Sequence, residues 1–214
     1  MGTRRRNSLR LSGYDYSRPG GYFVTICTAG RRCILGKVVD GKVELSHVGK
    51  IVESCWRQIS DHFPGIRVSV FQIMPNHVHG IIEIKEDARR GVQLNAPTGN
   101  RFSKISPKKG TLGVIVRTFK AAVLTGLRKA GKSTGDSIWQ RSFYDHIIRD
   151  DVDHFFVNRY IELNPLLWYM DSDNPEIRDV SFEQLRDTLS QKYGLDGFAL
   201  GRLIEHELAY REWR

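Results

Sequence analysis

Two histidines separated by one residue are the first feature of the sequence that could do chemistry. They are His77 and His79 in MPNHVHGIIEI, a segment that predicts a β-strand after a turn. Successive side chains of a strand point to opposite faces, so both imidazoles are expected on one face and Val78 on the other. This spacing suits two nitrogen ligands of one metal ion. A pair of structural histidines has the same pattern until a third ligand is found.

A tyrosine and an asparagine four residues apart supply candidates for the missing groups. Tyr160 and Asn164 lie in DVDHFFVNRYIELNP, which predicts a helix over 151–164 that begins at acidic residues and ends near Asn164-Pro165. Residues four apart share one helical face. Tyrosine can act as a covalent nucleophile, and an amide oxygen can bind Mg²⁺ or Mn²⁺. The alternative from spacing alone is that Tyr160 packs in the core and Asn164 caps the helix.

Other reactive side chains are weaker candidates, because their spacing does not select them. Glu162 points to another side of the predicted helix, and core packing explains Tyr144 in an aromatic strand. Three further groups could approach a metal ion, namely Asp145, Asp153 and His154. The sequence has neither a G-x-S-x-G elbow nor a G-x-x-x-x-G-K-[ST] loop, which disfavours a serine hydrolase of that type and a P-loop nucleotide site.

The elements that must position these residues alternate between strands and helices. In chain order we predict a strand over 21–28, a hairpin over 37–46 that turns at Asp40-Gly41, a helix over 48–59 capped by Ser46, strands over 66–74 and 77–84, a basic loop over 86–110, a helix from Thr111, a strand over 137–149 and the helix over 151–164. Paired strands with few helices favour an α+β fold, in which helices pack on a central antiparallel sheet.

The charge distribution indicates a polyanionic partner. The chain has 214 residues, a net charge of +9 and a pI near 9.6. The basic excess lies in two blocks, with net charges of +7 over residues 1–50 and +10 over 85–132, whereas 150–214 carries −7. Solvated surfaces would explain single charge runs, but two separate basic blocks favour nucleic acid, because they can neutralise backbone phosphates.

Composition also limits the cellular compartment. The chain is 40% hydrophobic and 27% charged, which is typical of a globular protein. No apolar run approaches the roughly 20 residues of a membrane span, and no apolar stretch follows the basic start. The odd number of cysteines, without C-x-x-C spacing, argues against a disulfide framework or a zinc ribbon. We therefore expect a cytoplasmic, nucleoid-associated protein without membrane contact.

Four separated segments resemble one known family. RRRNSLRLSGYDYSRPGGYFVTICT, MPNHVHGIIEI, IWQRSFYDHIIR and RYIELNP stand in the order found in REP-associated tyrosine transposases, which are single-tyrosine members of the HUH endonuclease superfamily. The resemblance extends over roughly residues 4–170. It implies an HUH palm, a ferredoxin-like or RRM-like sheet. We predict a basic arm over 1–20, a catalytic domain over 21–170 as the resemblance implies, and an acidic helical extension over 171–214 that the resemblance does not cover.

The same resemblance implies a site and a reaction. His77, His79 and Asn164 match the ligands of Mg²⁺ or Mn²⁺, and Tyr160 matches the nucleophile that cleaves and rejoins single-stranded DNA through a 5′-phosphotyrosine link. The DNA of such enzymes folds into hairpins resembling REP palindromes. Candidate DNA-binding residues are the basic side chains of the arm and of the helix from Thr111, namely Arg4, Arg5, Arg6, Arg10, Arg117, Lys120, Arg128 and Lys129.

Two other functions stay open from the sequence. One is a catalytically silent protein of the same fold that binds DNA hairpins, and metal-dependent nicking would separate it from a transposase. The other is an unrelated metal-dependent hydrolase of small phosphoesters, which would turn over without a tyrosyl adduct. The sequence leaves open whether the active unit is a monomer or a homodimer.

Overall fold

The computed structural model describes three stretches of the chain, residues 13–86, 110–132 and 137–168, together with residue 11 and scattered single positions from 171 to 197. The predicted arm residues Arg4, Arg5, Arg6 and Arg10, nearly all of the loop over 86–110 and most of the extension over 171–214 lie outside this description. The strands are β1 (Gly20–Cys27), β2 (Gly36–Val39), β3 (Lys42–Leu45), β4 (Ile66–Ile73), β5 (His77–Ile84) and β6 (Tyr144–Ile148). The helices are α1 (His47–Arg57), α2 (Ile59–His62), α3 (Leu112–Lys129) and α4 (Asp151–Leu167), and a short 3₁₀ turn spans Ala29–Arg31.

Four strands form the central sheet in the order β4-β5-β1-β6, and all neighbours are antiparallel. β2 and β3 form a separate hairpin between β1 and α1. Without that hairpin and the short α2, the elements from β1 to β6 follow the ferredoxin-like succession β-α-β-β-α-β, and α4 comes after them. The predicted α+β fold, with helices packed on a central antiparallel sheet, is confirmed.

One face of the sheet is covered by α1 and α3. Alternate residues of β1 and β5 enter this core, where Val24 and Val78 lie in one buried cluster with Trp56 of α1 and Phe119 of α3. The Trp56 and Phe119 rings meet edge to face at 5.2 Å between centroids. This face is the larger of the two cores, and it fixes the sheet independently of α4.

The other face of the sheet packs against α4. Its cluster combines Phe23 of β1 and Ile81 of β5 with four α4 residues, namely Val157, Tyr160, Ile161 and Leu163. β5 therefore contributes side chains to both cores. Ile81 and Ile82 are both fully buried, but on opposite faces of the sheet. A strand buried on both sides has a nearly continuous apolar sequence, as this one does.

Local turn and cap chemistry explains several boundaries. Asp40 and Gly41 both have positive φ, 50° and 71°, as the predicted Asp-Gly hairpin turn requires. Ser46 caps α1, because its side chain accepts a hydrogen bond from the Gly49 backbone N–H.

The strand predicted over 137–149 is shorter in the structure. β6 covers only its second half, and Trp139 makes an isolated bridge to Thr28.

The described helices also bear on the expected absence of membrane contact. None of them combines the length and the hydropathy that a membrane crossing requires.

Candidate active site

The two histidines of β5 lie side by side under α4. Both are fully buried, and their ring centroids are 4.4 Å apart. Val78 between them belongs to the core on the other face of the sheet. The predicted common face of His77 and His79 is confirmed.

Each imidazole is held at Nδ1 by an oxygen from a neighbouring segment. The hydroxyl of Thr25, which lies directly across from His79 in the pairing of β1 with β5, is 2.8 Å from His79 Nδ1. The side-chain oxygen of Asn76 is 2.6 Å from His77 Nδ1. These bonds turn the Nε2 atoms of both rings away from the atoms that hold them. Metal-binding histidines usually have their second nitrogen fixed in this way.

Tyr160 packs directly on this pair. Its ring centroid is 5.2 Å from that of His79 and 5.8 Å from that of Phe23, which itself stacks on His79 at 5.3 Å. The predicted nucleophile and the two predicted ligands, which are more than 80 residues apart in sequence, therefore share one side of the sheet.

Asn164 occupies the helical turn between two residues that contact the histidines. It follows Tyr160 by four positions and precedes Trp168 by four, and the Trp168 ring is 6.2 Å from that of His77. Residues at this spacing share a helical face, so Asn164 faces the same part of β5 as Tyr160 and Trp168. Only 4% of its surface is exposed. The structure thus places His77, His79 and Tyr160 together, and helical spacing puts the buried Asn164 on the Tyr160 face of α4.

The end of α4 differs from the prediction. The helix was expected to end near Asn164-Pro165, because proline lacks an N–H and disfavours a helical residue before it. It instead runs through Pro165 to Leu167, and the Trp168 N–H bonds to the Asn164 carbonyl. Burial of Asn164 and Pro165 against the protein interior outweighs the local rule. Asn164 is therefore a helical side chain on the face that covers β5, not a cap.

The chemical types of the predicted ligands suit a divalent metal ion. The set would be two imidazole nitrogens and one amide oxygen, with both Nδ1 atoms already engaged by Thr25 and Asn76. Among the described residues, no three or more His, Cys, Asp or Glu side chains are grouped so as to hold a metal ion. The predicted set does not require such a group, because its third member is an asparagine.

The site is closed in this conformation. Tyr160, His77 and His79 have no exposed surface, and Trp168 is 4% exposed. Tyr160 belongs to α4, and its side chain lies between this helix and the sheet, where it contacts Phe23 and His79.

The weaker sequence candidates have other contacts. Asp153, near the start of α4, accepts hydrogen bonds from His146 Nε2 at 2.9 Å and from the Arg149 N–H at 3.1 Å. Glu162 is exposed and pairs with Arg159 at 3.1 Å. His154 Nδ1 lies 3.1 Å from the Asn158 amide.

The two remaining candidates both lie on β6. Tyr144 lies across from Thr25 in the pairing of β1 with β6, and its ring meets that of Phe23 at 6.1 Å. Asp145 lies across from Val24, whose side chain is on the other face of the sheet. Of these two β6 residues, Tyr144 therefore lies on the face of the sheet that carries His77 and His79, and Asp145 does not.

A salt bridge joins β4 to β5 farther along the same face. Arg67 donates two hydrogen bonds to Glu83, at 2.9 and 3.0 Å. Burial alone would raise the pKa of Glu83, but the hydrogen bonds and charge of Arg67 outweigh it and hold that pKa below its usual value. Glu83 is therefore a structural carboxylate in its ionised form.

The predicted basic surface of α3 is on the other side of the molecule. Arg117, Arg128 and Lys129 are exposed. Lys120 instead donates to the carbonyls of Gln140 and Ser142, at 2.8 and 2.9 Å, and so ties α3 to the loop before β6. Since α3 packs on the face opposite to α4, these charges and the histidines lie on opposite sides of the sheet.

Sequence reasoning missed the residues that hold the histidines. Asn76 was treated only as part of a turn, and Thr25 only as a strand residue. The available signal for Asn76 was its position immediately before the His-x-His pattern. Thr25 could not be found locally, because its contact with His79 depends on strand pairing across 54 residues.

Comparisons with known proteins find relatives in sequence and similar solved structures. No protein-family profile matches the chain. It is 41% identical over 173 residues to an uncharacterized protein of Haemophilus influenzae, covering 79% of this chain and 93% of that protein. A second protein of the same organism, named "Putative REP-associated tyrosine transposase", is 27% identical over 158 residues, covering 73% of this chain and 77% of that protein. A solved structure of a REP-associated tyrosine transposase bound to a REP hairpin has a TM-score of 0.47 and 20% identity, and the match covers 73% of each chain.

The chain is therefore similar in sequence to a protein named as a transposase. The chain belongs to one family with the uncharacterized Haemophilus influenzae protein, and it is similar to the REP-associated tyrosine transposases, as its four motifs predicted.

Proposed function

We propose that the protein cleaves and rejoins single-stranded DNA through a covalent bond to Tyr160. The observation that carries this proposal is the contact between the Tyr160 ring and His79, 5.2 Å apart, beside His77 at 4.4 Å from His79. A nucleophile and two nitrogen ligands on facing elements are what phosphoryl transfer by a tyrosine requires. The relatives named as transposases supply the second support.

In the proposed reaction, Tyr160 Oη attacks a backbone phosphorus in line with the departing 3′-oxygen. The new bond is a 5′-phosphotyrosine ester, and the bond that breaks is that between phosphorus and the 3′-oxygen. The phenol loses its proton and the 3′-oxygen gains one, so that a free 3′-hydroxyl results. Reversal with another 3′-hydroxyl rejoins DNA without ATP, because the ester keeps the energy of the phosphodiester.

A divalent ion, Mg²⁺ or Mn²⁺, would be held by His77, His79 and Asn164. When bound, it would polarise the scissile phosphate and neutralise part of its charge. The chain's own residues do the rest. Tyr160 supplies the nucleophile, and Phe23 holds the His79 ring by stacking. The ordinary pKa of tyrosine is near 10, so its phenol is mostly protonated at neutral pH. The attack therefore needs a phosphate that the bound ion has polarised.

The proposed substrate is single-stranded DNA that folds into a REP-like hairpin. Two basic blocks and the resemblance to REP-associated transposases support it. Because the Tyr160 side chain is fully buried, the proposed reaction requires a rearrangement that makes its hydroxyl accessible to the strand. The active unit is proposed as a monomer or a homodimer.

The test is a denaturing gel of end-labelled hairpin DNA incubated with the protein and Mg²⁺ or Mn²⁺. We expect a protein-linked 5′ product from the wild type and a loss on the order of 10³-fold or more in Tyr160→Phe, since removing a nucleophile leaves only residual catalysis. His77→Ala should also lose the product. Tyr144→Phe is the matched control, because Tyr144 lies on the same face and also contacts Phe23. Cleavage that survives Tyr160→Phe would overturn the proposal.

The burial of Tyr160 favours one alternative, a protein of this fold that binds DNA hairpins without cleaving them. It predicts hairpin binding by wild type and Tyr160→Phe with equal affinity, and no covalent product with either metal. A wild-type adduct would exclude it.

A further inference from the structure

The Asn76 side chain makes a close polar contact with His77. Asn76 belongs to the three-residue connection between β4 and β5, and it is fully buried. Its side-chain oxygen is 2.6 Å from His77 Nδ1, while its amide nitrogen is 3.4 Å from the Arg31 carbonyl oxygen. The side chain therefore bridges a loop carbonyl and one of the two site histidines.

The direction of these bonds follows from their chemistry. A carbonyl oxygen can only accept, so the part of the Asn76 amide that faces Arg31 must be the NH₂ group. The amide oxygen then faces His77, and since it too can only accept, Nδ1 must be the donor. A neutral imidazole with its proton on Nδ1 has its lone pair on Nε2. The Arg31 carbonyl thus determines the tautomer of His77 through Asn76.

Backbone contacts hold this bridge in place. The Asn76 carbonyl accepts from the Thr28 N–H at 2.8 Å and from the Thr28 hydroxyl at 3.0 Å. Arg31 has a φ of 52°, a left-handed conformation that is uncommon for a residue other than glycine, and its carbonyl is the one that meets the Asn76 amide. A backbone so constrained leaves the amide little freedom to rotate away.

We propose that Asn76 is a positioning residue that keeps His77 in the Nδ1–H tautomer and so presents Nε2 as a ligand atom. The use of that atom for a metal rests on the proposed function, whereas the tautomer itself is a property of the protein alone. Asn76 touches neither DNA nor the reacting atoms in this scheme. It acts through the ring of His77.

The decisive experiment is long-range ¹H–¹⁵N correlation NMR of the histidine side chains, at about pH 8 and without metal, above the ordinary histidine pKa of about 6.5. His77→Gln identifies the His77 signals. We expect the wild-type proton on Nδ1. Asn76→Ala should move His77 toward a mixture of tautomers and leave the His79 tautomer unchanged. Asn76→Asp keeps an oxygen that can only accept at Nδ1, so His77 should still carry the Nδ1 proton, but its second oxygen would meet the Arg31 carbonyl and make the turn less stable.

Two further variants separate positioning from general loosening. Thr28→Val removes the hydroxyl contact to the same turn but keeps the Asn76 side chain, so the His77 tautomer should stay unchanged. Thr25→Val should alter the His79 signals and not those of His77. A wild-type proton on Nε2 of His77 would overturn the proposal, whatever the Asn76 variants do. A tautomer that Asn76→Ala leaves unchanged would overturn it as well.

Titration with Mn²⁺ alone, followed by calorimetry, measures the consequence. Removing a hydrogen-bond partner of a metal ligand typically weakens affinity 10- to 100-fold, and we expect that loss in Asn76→Ala but less than about twofold in Thr28→Val. A wild type that binds no Mn²⁺ would contradict the metal part of the proposed function. The tautomer measurement would still decide the role of Asn76.

Discussion

At the scale of single residues, the site depends on the atoms that surround each histidine ring. His79 is bonded at Nδ1 by Thr25, stacked by Phe23 and met edge-on by Tyr160. These contacts fix the orientation of the His79 ring. Ligand binding then loses less conformational entropy, because the ring is already ordered. The reactive geometry is therefore a product of packing as much as of the two histidines themselves.

At Gly80, the core formed by α1 and α3 packs tightly against β5, the strand that carries the two histidines. A Cβ at this position would lie 2.3 Å from Trp56 Cζ2 and 3.0 Å from Phe71 Cβ. Gly80→Ala should therefore destabilise the protein by about 1–3 kcal/mol through overpacking against the rigid indole. Urea unfolding followed by tryptophan fluorescence measures this change.

Gly197→Ala is the matched control, because a Cβ there would meet nothing within 4 Å. That variant should be neutral or slightly more stable, since replacing glycine by alanine without a clash reduces the entropy of the unfolded chain. If Gly80→Ala unfolded at the wild-type urea concentration, Trp56 would have to be free to move away from β5.

The residues predicted from the sequence were those with a distinctive chemical type at a regular spacing. His77, His79 and Tyr160 met that condition, and the structure brings them together. Thr25 and Asn76 did not. An ordinary strand threonine acquires its role only from the register of β1 against β5, and a turn asparagine only from a carbonyl 45 residues earlier.

At the scale of elements, α4 is fastened at its first turn. The Asp150 side chain accepts from the Asp153 N–H at 2.8 Å, and the buried Asp153 carboxylate joins His146 of β6. These bonds set the position at which the helix starts on the sheet. Tyr160 lies on the same rigid helix, so its place over β5 follows from that start.

The helix cap leads to a prediction. Asp150→Ala should lower the free energy of unfolding by about 1–2 kcal/mol, because the Asp153 N–H loses its acceptor. Asp150→Asn should cost much less, since asparagine is an equally good N-cap. Thermal unfolding by circular dichroism compares the two variants, and equal losses in both would mean that the charge of Asp150 matters more than its cap bond.

The order of elements was predictable because turn and cap signals are local, as at Asp40-Gly41 and Ser46. The last turn of α4 was not. Pro165 is a local signal for a helix end, but the decisive contribution is the burial of Asn164 and Pro165, which involves residues far away in the chain. A short pattern cannot contain that information.

At the scale of the whole molecule, charge and chemistry are separated by the sheet. The exposed basic residues of α3 lie beyond the α1–α3 core, and the histidine site lies beneath α4 on the other face. A single DNA strand bound by both surfaces must pass around an edge of the sheet. Its affinity would then come from charges that are distant from the site of cleavage.

This separation makes salt dependence the informative measurement for the whole molecule. Under the proposed function, the logarithm of the hairpin-binding constant should fall linearly with the logarithm of salt concentration, because bound phosphates release counterions. Arg128→Ala should reduce the slope by about 0.7–0.9, the share of one phosphate contact, and leave cleavage of bound DNA unchanged. Arg57→Ala is the control, since Arg57 is exposed but pairs with Glu53 at 2.8 Å. Lys120→Ala should instead lower stability, because its ammonium bonds two carbonyls. If the slope of Arg128→Ala equalled that of the wild type, Arg128 would not contact the DNA backbone.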